Sequence, residues 1–136
     1  MIVVDSSAIV AVMIGEATET ALVRRLHQTP RGQRYLSAAN YVEAGAVMAG
    51  RHADPAAGIA GLKQFLDISS ITVFPIDAEL AEMALEARIV FGRGFGAAAG
   101  LNFGDCFAYA LAKKLKAPLL YVGDDFSRTD IQSALD

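Results

Sequence analysis

The chain has 136 residues, enough to bury a substantial core in one domain, and its 54% of hydrophobic residues excludes a disordered protein. The net charge of −3, from 12 basic and 15 acidic residues, excludes an overall attraction to nucleic acid, so any such binding needs a local patch. No apolar run reaches the ~18 residues of a membrane span, and Asp5 interrupts the apolar start. A single cysteine, Cys106, excludes an internal disulfide. We therefore expect a cytoplasmic protein of one domain, residues 1–136, without membrane contact.

The first half of the chain alternates short apolar runs with longer helical patterns. MIVV is a β-branched run that suits a strand buried on both faces, and RYLSAA predicts a second strand. Asp54 and Pro55 have the sequence of a helix cap followed by the first helical position. The pattern predicts a strand at 1–4, helices at 6–15 and 16–28, a strand at 34–39, and helices at 40–51 and 56–69.

The second half continues this alternation. Asp77 is predicted to open a helix, Asn102 to cap another, and Pro118 to end that one. The pattern predicts a strand at 71–76, a helix at 77–91, a glycine-rich loop at 92–100, a helix within 101–114, and a strand at 119–122. Short strands alternating with helices predict a three-layer α/β/α sandwich around a mostly parallel sheet of four to five strands.

Acidic residues fall where such a fold places its binding sites, at the carboxyl ends of the strands. Asp5 directly follows the first predicted strand, and the pair Asp124 and Asp125 follows the fourth after one glycine. Glu43 lies in the early turns of the helix after the second strand, and Asp105 in the first turn of the last helix. If these segments converge, four or five carboxylates face one pocket.

Carboxylates that share a pocket cannot all stay ionised unless a positive charge neutralises them. A hard divalent cation does so through oxygen ligands, and Mg²⁺ takes a few carboxylates while keeping several waters. Such an ion polarises a phosphoryl oxygen and activates water for in-line attack. The acidic set therefore predicts metal-dependent phosphodiester hydrolysis or another phosphoryl reaction.

Each acid taken alone has a simpler interpretation. Asp5 can be the N-cap of the helix that follows it, and Asp105 can interact favourably with the positive end of its helix dipole. Glu43 can be a solvated helix residue, and the Asp124–Asp125 pair can form a turn after glycine. Only their joint placement favours a site.

Other chemistries find less support in the sequence. His27 and His52 lie apart without a cysteine or histidine at ligand spacing, which argues against zinc. There is no G-x-S-x-G motif for a hydrolase, and GFGAAA follows a predicted helix rather than the strand that a dinucleotide-binding motif needs.

Three segments of the chain together resemble the PIN-domain ribonucleases. They are MIVVDSSAIVAVM at the start, SAANYVEAGAVM near position 40, and LNFGDCFAYALAKKLKAPLLYVGDDFSRTDI near the end. The combination of NFGDCFAYALA with GDDF and TDI is the most specific part of a likeness that covers nearly the whole chain. Within the family, the sequence is most similar to the VapC toxins of bacterial type II toxin–antitoxin pairs, including the FitB-like branch.

The resemblance implies a Mg²⁺- or Mn²⁺-dependent endoribonuclease that forms homodimers and is neutralised by a small VapB-type antitoxin. The family's first three acids match Asp5, Glu43 and Asp105. Its fourth acid is matched to Asp125, because relatives often have asparagine at the position of Asp124.

Two further positions are candidates for binding substrate. Ser7 matches the small hydroxyl residue that follows the family's first acid by two, and we expect it to help hold a ligand or water. Arg93, in the glycine-rich loop, could meet a phosphate, although an exposed loop arginine is the simpler interpretation.

We therefore expect Asp5, Asp105 and Asp125 to bind the metal, and Glu43 to add a ligand or to orient a water for attack on RNA. An alternative keeps the fold without the activity: a catalytically silent partner that touches DNA only through its antitoxin, which the negative charge would suit. A phosphatase or a nuclease acting on DNA flaps ranks lower, because relatives of that kind are longer chains.

Overall fold

The structure is a computed structural model that describes residues 1–135. Its longest helices have 14 residues, and no helix in this range has both the length and the apolar character to cross a membrane. The elements are β1 (Ile2–Val4), α1 (Ser6–Met13), α2 (Glu19–His27), β2 (Arg34–Ser37), α3 (Ala38–Gly50), α4 (Pro55–Ile68), β3 (Thr72–Phe74), α5 (Ala78–Phe91), α6 (Phe103–Leu115) and β4 (Leu119–Leu120).

The strands form one parallel sheet in the order β3-β2-β1-β4. The chain adds β2 and β3 on one side of β1 and then crosses over to add β4 on the other side. In open parallel sheets, a crevice forms outside the carboxyl ends of the strands where the order reverses. That crevice lies here between β1 and β4, the strands that precede Asp5 and Asp125.

Side chains of the strands alternate between two apolar layers. Ile2 and Val4 pack into a core with residues of α1, α2, α3 and α4. Val3, between them, packs into a second core with residues of α5 and α6. Successive residues of a strand face opposite sides of a sheet, so the apolar run at 2–4 requires helices on both faces. The predicted three-layer α/β fold with a parallel four-stranded sheet is confirmed.

The predicted helix caps are present. Asp54 accepts a hydrogen bond from the backbone N–H of Ala56 at 3.1 Å, and Asp77 accepts one from Leu80 at 2.8 Å. These bonds satisfy N–H groups that have no partner within the first helical turn. The helices α4 and α5 consequently begin where the sequence predicted.

Most predicted boundaries differ from the observed ones by one to three residues, the largest difference being the start of α2 at Glu19 rather than at 16, and two of the differences have a clear local cause. The second strand ends at Ser37 rather than at 39, because the Ser37 hydroxyl caps α3 by accepting the Asn40 N–H at 3.1 Å. The fourth strand ends at Leu120 rather than at 122. The N–H of Val122 donates to the Ser7 hydroxyl at 3.1 Å instead of continuing a strand ladder. Both differences come from side-chain hydrogen bonds, which the apolar pattern does not report.

The helices α3 and α4 approach closely at Gly58. A Cβ atom at this position would overlap the backbone carbonyl of Met48 in α3. Gly61, one turn further along α4, has only the Cε of Met13 nearby, 3.9 Å from the place of a Cβ. The contact between the two helices therefore depends on glycine at 58 but not at 61.

We expect Gly58→Ala to lower the free energy of unfolding by roughly 1–3 kcal/mol, because the added methyl forces the two helix backbones apart. Gly61→Ala is the matched control, and it should raise the free energy of unfolding by up to ~1 kcal/mol through helix propensity. Urea denaturation of both variants measures the difference. Equal stability of the two variants would contradict the close contact.

Candidate active site

A cavity of about 340 Å³ opens at the carboxyl ends of β1 and β4. Five acidic side chains line it: Asp5, Glu16, Glu43, Asp105 and Asp125. The convergence of Asp5, Glu43, Asp105 and Asp125, which the sequence raised as a possibility, therefore occurs in the structure.

Asp5 is the most deeply buried of these acids, with 2% of its surface exposed. It is the N-cap of α1, and its Oδ2 accepts the N–H of Ser7 at 3.0 Å. Its Oδ1 is buried and, within residues 1–135, has no hydrogen-bond partner. Burial raises the pKa of Asp5 to about 6, the charge of Glu43 adds to the rise, and hydrogen bonds from Ser7 oppose it. A buried oxygen without a donor is open to a cation or a proton.

Asp105 combines the two roles that its sequence position allowed. Its Oδ2 accepts the N–H of Asn102 at 3.1 Å, while the Asn102 side chain accepts the N–H of Asp105 at 2.8 Å. This reciprocal capping box fixes the start of α6. Burial raises the pKa of Asp105 to about 7, and the charges of Asp5 and Asp125 raise it further. The carboxylate therefore caps its helix and at the same time faces the other acids.

Glu43 is held in place by neighbours on two sides. Its Oε1 accepts hydrogen bonds from the Ser6 hydroxyl at 3.1 Å and from the Asn40 side-chain amide at 2.8 Å. A Cβ at Gly104 would overlap the Glu43 carboxylate, so only glycine leaves room for this carboxylate beside α6. These contacts give Glu43 a defined position at the cavity wall.

Asn40 connects the helix that carries Glu43 with the helix that carries Asp105. It is fully buried, and its amide donates to the Gly104 carbonyl at 3.1 Å as well as to Glu43. Its own carbonyl accepts the hydroxyl of Ser37 at 2.6 Å. Every polar atom of the Asn40 side chain is therefore occupied, which locks α3 against α6 at the cavity.

The two acids after β4 occupy different places. Asp125 lines the acidic cavity, whereas Asp124 lines only a neighbouring groove. Ser7 also lines the cavity, and its hydroxyl oxygen accepts the Val122 N–H. Arg93 lies outside the cavity, in the neighbouring groove. The roles assigned to these residues stay predictions.

The donor set suits a hard divalent cation, since it consists of carboxylate oxygens and includes the partnerless Oδ1 of Asp5. Over residues 1–135, however, no three His, Cys, Asp or Glu side chains are arranged to hold a metal ion in the positions shown. Ligation of one ion by three of these carboxylates therefore requires side-chain rotation. Asp125 is exposed, whereas Asp5 and Asp105 are buried, so of these three carboxylates Asp125 has the most room to move.

Four residues around the cavity were not singled out as site residues from the sequence: Ser6, Glu16, Asn40 and Gly104. Asn40 offered a signal, because an amide among the apolar residues at the start of α3 needs a buried partner. Gly104 offered none, since its neighbour Glu43 is distant in sequence.

The raised carboxyl pKa values predict how the stability of the metal-free protein depends on pH. The native state binds protons more tightly than the unfolded chain, in which these groups titrate near 3.8. The free energy of unfolding should therefore fall as pH rises from about 4 through about 7, by on the order of a few kcal/mol. Urea denaturation in EDTA across this range measures the slope.

Asp105→Asn should flatten this slope, because the amide does not titrate and can still accept the Asn102 N–H. The control is Asp67→Asn, which removes an exposed charge on α4 and should leave the slope as in the wild type. Stability that rises between pH 4 and 7 in the wild type would refute the buried-acid description.

Comparison with known proteins identifies the family of the chain. The PIN domain family model matches residues 2–132. Ribonuclease VapC42 of Mycobacterium tuberculosis is 41% identical over 132 residues, which cover 97% of this chain and 98% of that protein. Ribonuclease VapC of Mycolicibacterium smegmatis is 37% identical over 129 residues, covering 95% and 96% of the two chains.

Solved structures share the fold at low sequence identity. The crystal structure of Mycobacterium tuberculosis VapC20, a toxin that cleaves the sarcin-ricin loop, has a TM-score of 0.76 at 20% identity and covers 96% of both chains. A toxin–antitoxin complex from Klebsiella pneumoniae has a TM-score of 0.69 at 14% identity and covers 96% of this chain and 93% of that one. The extent of these matches leads to one conclusion: the chain belongs to the PIN-domain family and, within it, to the VapC group.

Proposed function

We propose that this protein is a metal-dependent endoribonuclease, the toxin of a VapBC-type pair, acting as a single PIN domain. The observation that carries the proposal is the meeting of Asp5, Glu43, Asp105 and Asp125 at one cavity. Relatives named VapC ribonucleases, at 41% and 37% identity over nearly the full chain, support RNA as the substrate.

Asp5, Asp105 and Asp125 are the proposed ligands of Mg²⁺ or Mn²⁺. When bound, the cation supplies Lewis-acid stabilisation of the charge that develops on the scissile phosphate. Asp5 and Asp105 must first lose the protons that burial favours, so activity should increase as pH rises through about 6 to 7.

Glu43 is proposed to act on the attacking water or to add a fourth ligand. Its Oε1 already accepts two hydrogen bonds, from Ser6 and Asn40, so Oε2 is the proposed oxygen for a ligand or water. A carboxylate fixed in this way orients a nucleophile at little entropic cost. Ser7 is proposed to contribute through its hydroxyl proton, because the hydroxyl oxygen already accepts the Val122 N–H.

A VapB-type antitoxin and a second copy of the chain are the proposed protein partners, with DNA contacted only through the antitoxin. The fold shared with the Klebsiella pneumoniae toxin–antitoxin complex supports an antitoxin as a partner. Apolar side chains on three helices offer surface that a partner would bury: Val42 on α3 is 66% exposed, Leu85 on α5 56% and Phe103 on α6 72%. Action in the cytoplasm is part of the proposal.

Cleavage of RNA by the purified, antitoxin-free protein in Mg²⁺ tests the proposal. Asp105→Asn and Asp125→Asn should reduce cleavage to about the level without enzyme, because each removes a metal ligand. EDTA should do the same to the wild type, and Mn²⁺ should restore it. A labelled structured RNA and a denaturing gel measure the rates.

Asp124→Asn is the matched control, because it removes the same charge one residue away and outside the acidic cavity. We expect it to retain most of the activity. Thermal denaturation checks that every variant is folded. Cleavage that survives both EDTA and Asp105→Asn would refute the mechanism, and a folded wild type that cleaves no RNA would favour the catalytically silent alternative.

A further inference from the structure

A second groove adjoins the acidic cavity and shares Asp125 with it. Its walls are the glycine-rich loop 92–100 and the turn after β4, and its volume is about 390 Å³. It carries two cationic side chains, Arg93 and Arg128. Asp125 lines both the acidic cavity and this groove, so the two adjoin. A polymer that lies in the cavity can therefore continue into the groove.

The two arginines are not neutralised by the acids around them. Within residues 1–135, neither forms an ion pair, although Asp124 and Asp125 line the same groove. Arg128 donates one N–H to the Ala98 carbonyl at 3.4 Å. A guanidinium has five N–H donors, so Arg128 can hold the loop and still bind a second acceptor.

The two guanidinium groups lie beside an acidic cavity in a chain of net charge −3. The carboxylates repel a polyanion, so an RNA strand needs cationic contacts on the protein near them. Arginine suits phosphate because its planar fork donates two parallel hydrogen bonds. The groove has this chemistry at the edge of the cavity where cleavage is proposed.

We propose that this groove binds the RNA phosphate next to the scissile one, with Arg93 and Arg128 as its ligands. The inference rests on the proposed nuclease function, because that function places the scissile phosphate in the acidic cavity. Arg128 is also proposed as a positioning residue, since it donates a hydrogen bond to Ala98 in the loop that carries Arg93. Contacts of this kind bind the backbone of RNA without regard to its sequence.

Binding of RNA in EDTA tests the groove separately from cleavage. The probe is a fluorescein-labelled single-stranded RNA, and its anisotropy gives Kd at several salt concentrations. Arg93→Ala and Arg128→Ala should each weaken binding about tenfold and reduce the slope of log K against log salt by about 0.7. Arg93→Lys keeps the charge and should restore most of the slope.

Arg51→Ala is the matched control. It removes the same charge from an exposed side chain at the C-cap of α3, eight residues beyond Glu43. RNA binding by this variant should equal that of the wild type. In Mg²⁺, the two groove variants should raise KM about tenfold and leave kcat within about twofold, since a neighbouring phosphate contact serves binding.

Failure of this inference and failure of the nuclease proposal give different results. A wild type that cleaves RNA, together with groove variants that bind and cleave as Arg51→Ala does, overturns the groove and leaves the nuclease standing. A wild type that binds RNA through Arg93 and Arg128 without cleaving it supports RNA binding by the groove, overturns the nuclease, and with it overturns the placement of the bound phosphate next to a scissile one. Binding that is absent in EDTA, with KM unchanged in both groove variants, also overturns the groove.

Discussion

The rest of the site depends on one constraint, the burial of two carboxyl groups, Asp5 and Asp105, which repel each other when both are ionised. Both lie at the carboxyl end of the sheet, are less than 7% exposed, and have raised pKa values. A fold that places carboxylates in this way loses stability whenever they ionise, unless a cation compensates them. Each carboxylate accepts a hydrogen bond from a backbone N–H at a helix start, Asp5 from Ser7 and Asp105 from Asn102. Rotation of either side chain away from the site would therefore break a capping bond of its helix. The site is therefore held together by the same bonds that begin α1 and α6.

The positions of the acids are maintained by a small set of neutral groups. The Asn40 side chain accepts a hydrogen bond from Ser37 and donates to both Glu43 and the Gly104 carbonyl. One buried amide on α3 therefore sets the distance between α3 and α6. Gly104 removes the side chain that would otherwise displace Glu43. A fully satisfied buried network of this kind is rigid, and rigidity is what a carboxylate needs in order to act at a defined place. The exposed Asp125 is the exception, as the one proposed ligand with freedom to adjust.

The sequence predicts the fold well because its signals are local. Strand and helix signals depend on neighbours in the chain. Examples are the apolar triplet 2–4, the helix caps Asp54 and Asn102, and the end of the last helix before Pro118. The four acids were also predictable, since strand ends in a parallel sheet converge. The partners of Asn40, the need for glycine at 104 and the separation of Asp124 from Asp125 were not, because they depend on contacts between segments about 60 residues apart and on the course of one turn. The choice of Asp125 over Asp124 as a ligand rests on the family resemblance and stays a prediction; Asp125 lines the acidic cavity and Asp124 does not. Assignment to the FitB-like branch stays a prediction.

The central claim is that the buried carboxylates carry protons which a divalent cation displaces. Isothermal titration calorimetry of Mn²⁺ binding at pH 6.5, in two buffers of different ionisation enthalpy, measures the number of protons released. With Asp5 titrating at about 6 and Asp105 at about 7, binding to the wild type should release about one proton per ion. Asp105→Asn should release fewer. A wild type that binds no Mn²⁺, or binds it without releasing protons, would contradict the account.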